Sequence, residues 1–256
     1  MNCKKRRLPV LLTYILGLVL FFASCGGELP SVFTVRFDAN GGGGGVPDWG
    51  VKDGESIPLP SGAALSRSGF TFMGWSTNSS GGTILQPGTN FTVRNNTTLF
   101  ARWGHTVTFA PNNASGWAPQ QQLVEAWTSI SLPGQESLSM DGATFQGWST
   151  TQRGGTILTA GSSFTVNSNV TLYARWGATV TFLANGGSGS PPAAQTVSVG
   201  DSITLPGQGA LTLAGSTFLG WSTSQTGGVI LPVGTSFTVN RNTNLYARWQ
   251  LIPPSL

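Results

Sequence analysis

The stretch Phe72 to Thr77 reads Phe-Met-Gly-Trp-Ser-Thr and is followed, 28 residues after its tryptophan, by Ala101-Arg102-Trp103. The same pair recurs at 145–150 with 174–176, and at 218–223 with 247–249. The tryptophans of successive copies are 73 residues apart. A self-similarity with a fixed period indicates tandem copies of one structural unit. The chain of 256 residues is therefore predicted to contain three small units rather than one or two ordinary domains.

Short β signals follow one another in the same order within each unit. Val35 and Phe37 alternate in an opening strand, a Gly/Asn turn follows, and a second strand ends in Ile-x-Leu-Pro. The Gly-Trp-Ser-Thr strand comes next, and a Gly-Gly turn then leads to a Phe-Thr-Val strand and a Leu-(Phe/Tyr)-Ala-Arg-Trp strand. Apart from the N-terminal segment, the sequence shows no helical period beyond about two turns. We therefore predict mainly β units with little or no helix.

The period also sets the predicted boundaries. The segments are a signal peptide, a tether, three repeat units and a tail, at 1–24, 25–33, 34–103, 106–176, 179–249 and 250–256. Only Gly104-His105 and Gly177-Ala178 separate the units, which is too short for free tumbling. A semi-rigid string is expected, with His105 as a solvated linker residue and a frayed tail.

The N-terminus has the layout of a secretory signal. Four basic residues at 4–7 precede an apolar run from Leu8 to Phe22, which is helical in such segments but shorter than the roughly 20 residues of a membrane-spanning helix. Cys25 follows Phe22-Ala23-Ser24 and resembles the lipidated cysteine of a bacterial lipobox, although Phe22 replaces the usual aliphatic residue. The alternative is an ordinary signal peptidase site with a free cysteine beside it. We expect lipid on Cys25.

The charge distribution argues against nucleic acid as a partner. The whole chain carries a formal charge of +4, but four of its 13 basic residues belong to the predicted signal peptide. Its removal leaves nine basic residues against nine acidic ones. A neutral protein has no excess of cations with which to neutralise phosphates.

The residue types needed for catalysis are scarce. His105 is the single histidine, and no mature thiol other than Cys25 remains, so zinc sites and Ser-His or Cys-His pairs are not available. No carboxylate occupies the same position in all three copies; the nearest case is Glu55, Thr128 and Asp201. We expect no enzyme activity, no metal and no cofactor.

The tryptophans of the repeated motifs can serve as core or as binding platform. Positions that recur in every copy of a small fold are usually core, and the predicted core set is Trp75, Trp103, Trp148, Trp176, Trp221 and Trp249. Strand alternation places the neighbouring ring and arginine on the opposite face, which gives the candidate surface contacts Phe100, Arg102, Tyr173, Arg175, Tyr246 and Arg248. Second candidates are the tryptophans outside the threefold pattern, Trp49, Trp117 and Trp127.

The ordered motifs together resemble the Listeria/Bacteroides repeat family, also known as the internalin B-repeat. The resemblance covers nearly all of the mature chain. It implies β-grasp-like units arranged in arrays on bacterial surface and secreted proteins, with roles in adhesion or as spacers and with no catalytic residues. The second unit departs most, because Pro111-Asn112-Asn113 replaces the Asn-Gly-Gly turn and because it carries extra aromatic residues.

The predicted function is an adhesion or protein-interaction module on a bacterial cell envelope. The protein would be held in a membrane by lipid on Cys25, with the outer membrane or cell surface as the expected location. Host or envelope proteins or glycans are the candidate partners. A structural spacer without a ligand and a carbohydrate-binding array are the alternatives.

Overall fold

A computed structural model describes residues 30–253, so the predicted signal peptide and Cys25 lie outside the described residues. Every regular element in residues 30–253 is a β-strand, which confirms the prediction of mainly β repeats. No helix in this part of the chain is long and apolar enough to cross a membrane. The strands of the first unit are β1 (Val32–Asp38), β2 (Gly43–Gly44), β3 (Trp49–Lys52), β4 (Ser56–Pro58), β5 (Leu65–Ser66), β6 (Thr71–Ser76), β7 (Asn90–Thr92) and β8 (Thr97–Ala110).

The second and third units repeat most of this series. The second unit uses the end of β8 with β9 (Gln122–Glu125), β10 (Ser129–Ser131), β11 (Thr144–Ser149), β12 (Ser163–Thr165) and the start of β13 (Val170–Leu183). The third uses the end of β13 with β14 (Gln195–Ser198), β15 (Ser202–Thr204), β16 (Ser216–Ser222), β17 (Ser236–Thr238) and β18 (Thr243–Leu251).

Each unit contributes four strands to one ten-stranded sheet. In the first unit the order is β3-β1-β8-β6, with β1 and β8 parallel at the centre and the outer pairs antiparallel. The second unit repeats this as β9-β8-β13-β11 and the third as β14-β13-β18-β16. The two-stranded ladders β4-β7, β10-β12 and β15-β17 add residues such as Ile57 and Phe91 to the cores of their units.

The units are joined by continuous strands rather than by linkers. β8 and β13 are each 14 residues long and serve as the last strand of one unit and the first strand of the next. Gly104 lies inside this ladder, opposite both Thr71 and Glu125. The interpretation of His105 as a solvated linker residue is wrong: it is buried, its Nδ1 lies 3.0 Å from the carbonyl oxygen of Gly69, and its ring packs on Phe70.

The tryptophan of each Gly-Trp-Ser-Thr motif is the centre of its unit's core. Trp75, Trp148 and Trp221 have no exposed surface. Each indole Nε1 donates at 2.8 Å to the proline carbonyl that ends the Ile-x-Leu-Pro strand. An indole N–H usually requires such an acceptor when it is buried. The Gly-Trp-Ser-Thr motif and the Ile-x-Leu-Pro motif are therefore joined by the same hydrogen bond in each of the three units.

A β-bulge brings the phenylalanine and tryptophan of this motif to the same face, although regular alternation would place them on opposite faces. The pairing of β11 with β13 shifts between Phe145 and Gly147, and the rings of Phe145 and Trp148 meet edge to face at 5.4 Å. Gly147 has φ 139°, and a Cβ there would lie 2.2 Å from the carbonyl oxygen of Leu158. An extra residue in a strand turns the following side chains to the other face, so both rings reach the core.

The C-terminal segment is also more ordered than expected. Gln250 and Leu251 belong to β18 and pair with Thr217 and Ser216 of β16. The predicted frayed tail therefore contributes two residues to the sheet, and residues 254–256 lie outside the described part.

Candidate functional site

The arginines predicted to face a partner are structural in the first two units. Arg102 and Arg175 are only 3% and 4% exposed, so the expectation of a surface contact there is wrong. Each arginine of the motif, Arg248 included, donates through Nη1 to the first carbonyl of the Gly-Gly turn in its own unit. β8 and β13 run through the middle of the sheet, and the Gly-Gly turns fold over the face that alternation had assigned to solvent. Arg248, in the last strand, remains half-buried.

The rings beside these arginines remain partly accessible. Phe100, Tyr173 and Tyr246 are half-buried. Phe100 lines a shallow groove of about 490 Å³ and Tyr246 one of about 530 Å³. The cations in these grooves are Arg94 and Arg241 rather than the arginines of the repeated motif. The threefold pattern does not predict either residue, because both stand in a turn where the second unit has Asn167 or Ser168.

The second unit carries a surface that its neighbours lack. Trp117 is 84% exposed and lines an open groove of about 570 Å³. Ala118 and Ser137 also line this groove. The remaining lining residues are two prolines, three glutamines and one acid, which are Pro119, Gln120, Gln121, Gln122, Pro133 and Glu136. Ser137 fixes the tryptophan backbone, since its hydroxyl accepts from the amide of Trp117 at 2.9 Å. An indole held on a fixed backbone beside amides and a carboxylate is a pre-formed platform.

Trp127 is the second exposed tryptophan, and its backbone conformation is unusual. It is 73% exposed and has φ 66°, in a turn just after β9. The equivalent turns use Gly54 and Gly200, with φ 77° and 92°. The left-handed region costs a non-glycine residue roughly 1–2 kcal/mol. The second unit therefore holds an exposed aromatic side chain where the fold favours glycine, a conflict that is typical of functional positions.

The sequence pattern predicts only part of the groove around Trp117. The tryptophan was identified because it breaks the threefold pattern, whereas Gln120 to Gln122 and Glu136 were not. Segment length gave no signal, because the second and third units both have one residue more than the first between the Asn turn and the next long-sheet strand. Trp49, the remaining tryptophan outside the threefold pattern, is half-buried against Phe37, with ring centroids 5.2 Å apart.

The described residues offer little for metal or acid-base chemistry. Within residues 30–253, no group of three or more His, Cys, Asp or Glu side chains is arranged to hold a metal ion. The exposed ion pairs, Arg36 with Asp48 and Arg241 with Asp141, span 3.5 and 3.7 Å at the surface. Such pairs are worth at most about 1 kcal/mol.

Comparison with known proteins gives three matches to one family model, the Listeria-Bacteroides repeat domain, at residues 33–102, 105–175 and 179–248. Two relatives come from Evansella cellulosilytica. One, named "Putative Gly-rich membrane protein", is 31% identical over 86% of this chain and 27% of its own length. The other, named "Putative membrane protein", is 28% identical over 86% of this chain and 33% of its own length. The chain thus spans a third or less of these relatives.

Proposed function

The chain belongs to the Listeria-Bacteroides repeat family, and we propose that it is a cell-envelope protein whose repeats form an adhesion module with its contact surface on the second unit. The first and third units, continuous with it through β8 and β13, hold that surface rigidly. A rigid support reduces the conformational entropy that is lost on binding.

The observation that carries this proposal is the pair of exposed tryptophans in the second unit. Trp117 and Trp127 replace Ser190 and Gly200 of the third unit, where the same backbone forms without an aromatic side chain. Large exposed aromatic side chains are enriched in binding surfaces, because they bury much area with few rotatable bonds. Packing does not account for either residue, since both are exposed.

The chemistry of the Trp117 groove favours a glycan as the ligand. The indole face can lie against the apolar face of a sugar ring, which presents C–H groups. Gln120, Gln121 and Gln122 supply amide donors and acceptors, and Glu136 supplies a carboxylate acceptor for hydroxyl groups. A protein ligand is the alternative for the same surface, and a spacer without a ligand is the competing function.

We also infer a β-grasp-like architecture for each unit. In the first unit, the first and last strands, β1 and β8, form a central parallel pair. β3 flanks β1 and β6 flanks β8, and both flanking strands are antiparallel to their neighbours. The face that a helix covers in β-grasp proteins is covered here by turns and by the β4-β7 ladder. The absence of helix from residues 30–253 makes this a reduced version of that fold.

Attachment to the envelope is proposed through lipid on Cys25. The basic and apolar N-terminal segment and the cysteine at its end support this, and so do the names of the relatives, which describe membrane proteins. Substitution Cys25→Ala should release the protein from the membrane fraction and abolish incorporation of a labelled fatty acid. Continued labelling of that variant would contradict the proposed anchor.

Exchange of residues between units gives a clean test of the binding surface. Trp117→Ser and Trp127→Gly insert the residues that the third unit uses at the same positions. We expect both variants to fold and the double variant to lose adhesion to glycan-coated surfaces. The matched control is Val229→Ala, which removes another exposed apolar side chain, 77% accessible, from the third unit.

The measurement is binding to a glycan array, followed by quenching of tryptophan fluorescence with the glycans that score. Quenching in the native protein and its loss in Trp117→Ser would support the groove. Equal binding by the native protein and the double variant would exclude this surface. Binding to proteins but to no glycan would move the ligand class to protein.

A further inference from the structure

A second site lies between the second and third units, apart from the tryptophan groove. A partly enclosed cavity of about 190 Å³ opens there. The polar and charged side chains that line it carry amide or guanidinium groups, and none carries a carboxylate. They are Asn112, Asn113, Gln152, Arg153, Arg175 and Asn240. Trp176, Met140, Val199 and Gly200 complete the wall. The cavity is smaller than the roughly 300–1,000 Å³ of drug-sized sites and is lined by hydrogen-bond donors.

Arg175 is a buried cation without an acidic partner. Its guanidinium donates to the carbonyl of Gly154, and no carboxylate of the described residues lies within 4.0 Å of it. A buried charge is costly unless it is paired. The guanidinium of Arg153 reaches toward the same junction and lies about 3.8 Å from the position of a Cβ on Gly200. Two cations therefore border one cavity.

Trp176 contributes a donor that has no acceptor. Trp103 and Trp249 donate through Nε1 to the carbonyls of Ala39 and Ala184, at 2.9 and 3.2 Å. The Nε1 of Trp176 is buried and has no partner among the described residues. A buried donor that is left unpaired costs about 1–3 kcal/mol.

A single methyl group explains this difference. A Cβ on Gly42 would lie 2.5 Å from Cζ2 of Trp103, and one on Gly187 would lie 2.8 Å from Cζ2 of Trp249. The second unit has Ala114 at this position, and its methyl group would overlap an indole placed as in the other two units. This overlap accounts for the missing hydrogen bond of Trp176.

The junction between the first and second units has a carboxylate beside its buried arginine. There Glu125 forms an ion pair with the buried Arg102. Glu125 lies opposite Gly104, and its counterpart opposite Gly177 is Ser198. The first junction therefore carries an internal carboxylate, whereas the second has a hydroxyl group and an open cavity.

We propose that the cavity between the second and third units binds a small carboxylate. The ligand carboxylate would pair with Arg175 as Glu125 pairs with Arg102, and it would accept from Arg153, with Trp176 in the wall beside it. Arginine and carboxylate groups form short, charge-assisted hydrogen bonds, often two in parallel. The site is independent of the Trp117 groove.

Binding of small ligands to the full chain tests the proposal. The probes are acetate and galacturonate, with galactose as the neutral sugar and sulfate as the other oxyanion, all at constant ionic strength set with NaCl. The readouts are the melting temperature and the ¹⁵N-indole resonance of Trp176. We expect acetate to raise the melting temperature and to shift this resonance, whereas galactose does neither.

Three variants separate binding from folding. Ser198→Glu supplies the internal carboxylate, so it should raise the melting temperature without ligand and abolish the response to acetate. Glu125→Ser should lower the melting temperature and create a second acetate response. Arg153→Ser, which inserts the residue found as Ser80 in the first unit, should weaken acetate binding about tenfold, as loss of one hydrogen bond to a charged group predicts.

The outcomes are decisive in either direction. An acetate response that persists unchanged in Ser198→Glu would overturn the proposed position, and no response in the native protein would overturn the site. A response to sulfate alone would overturn the assignment to carboxylates. Tighter binding of galacturonate than of acetate would support an acidic sugar as the source. Trp117→Ser should leave all these results unchanged, which separates this site from the adhesion surface.

Discussion

The two junctions of the molecule use the same backbone and differ in their side chains. At the first, Arg102 meets Glu125, and the exposed Trp127 occupies the turn. At the second, Ser198 and Gly200 stand in those places, and Val199 packs against the cores of both adjoining units. The continuous strand therefore fixes the backbone geometry of a junction, whereas the side chains in and just after β9 or β14 decide whether a carboxylate or a cavity lies beside the buried arginine.

The largest expected contrast separates core from surface tryptophans. Trp148→Ala should destabilise the protein by roughly 3–5 kcal/mol, because it empties a fully buried site and removes the hydrogen bond to Pro133. Trp117→Ser should change stability by no more than about 0.5 kcal/mol. Urea denaturation of both variants checks this. Comparable losses would show that Trp117 supports the fold, which would weaken its role as a contact residue.

The next contrast concerns the two buried arginines. Arg102→Met leaves Glu125 without its partner and should cost about 2 kcal/mol or more, less than for a fully buried pair because Glu125 is one-third exposed. Arg175→Met removes an uncompensated buried cation, so it should cost about 1 kcal/mol or less. Chemical denaturation at pH 7 without added carboxylates is the measurement. An equal loss in both variants would mean that Arg175 is compensated as well as Arg102.

The turn after β9 and the equivalent turn after β14 give a third contrast, with opposite signs. Trp127→Gly should stabilise the protein by about 1 kcal/mol, because it relieves a bulky residue at positive φ. Gly200→Ala should destabilise it by a similar amount for the same reason. Thermal denaturation of the two single variants decides this. A loss of stability in Trp127→Gly would show that the indole makes a contact worth more than the strain.

The smallest expected effect belongs to Ala114→Gly. The change lets the indole of Trp176 return to the position of Trp103, so that Nε1 can donate to the carbonyl of Pro111. The hydrogen bond gains about 0.5–1.5 kcal/mol, and the added backbone entropy of glycine offsets most of it. Stability should change by less than about 1 kcal/mol, while the indole resonance moves toward those of Trp103 and Trp249. An unmoved resonance would contradict the explanation by the Ala114 methyl group.

Local pattern was sufficient for much of the architecture. The 73-residue period, the alternation of Val35 with Phe37 and the Gly-Gly turns predicted three mainly β repeats, because each signal acts over a few residues. The recurring tryptophans were placed in the core for the same reason. The exposed Trp117 was identified as an exception to the repeat, but the glutamines and Glu136 that share its groove come together only through folding.

The faces of the long strands could not be read from alternation. Alternation assigns side chains to the two sides of a strand, but it does not show whether other residues cover the side that faces away from the core. In β8 and β13 the Gly-Gly turns cover it, and at the first junction Glu125 covers it further, so Arg102 and Arg175 are buried although their neighbours point the other way. His105 is also buried, because it packs on Phe70 and contacts the carbonyl oxygen of Gly69.

The sequence by itself therefore determined the number of units, their β character and the core position of each central tryptophan, because these depend on interactions that recur within one period. The tertiary structure decided how the units are joined, which arginine has an acid beside it and where a cavity remains. These depend on residues of neighbouring units, such as Arg175 and Ser198, that meet only when adjacent units share one strand.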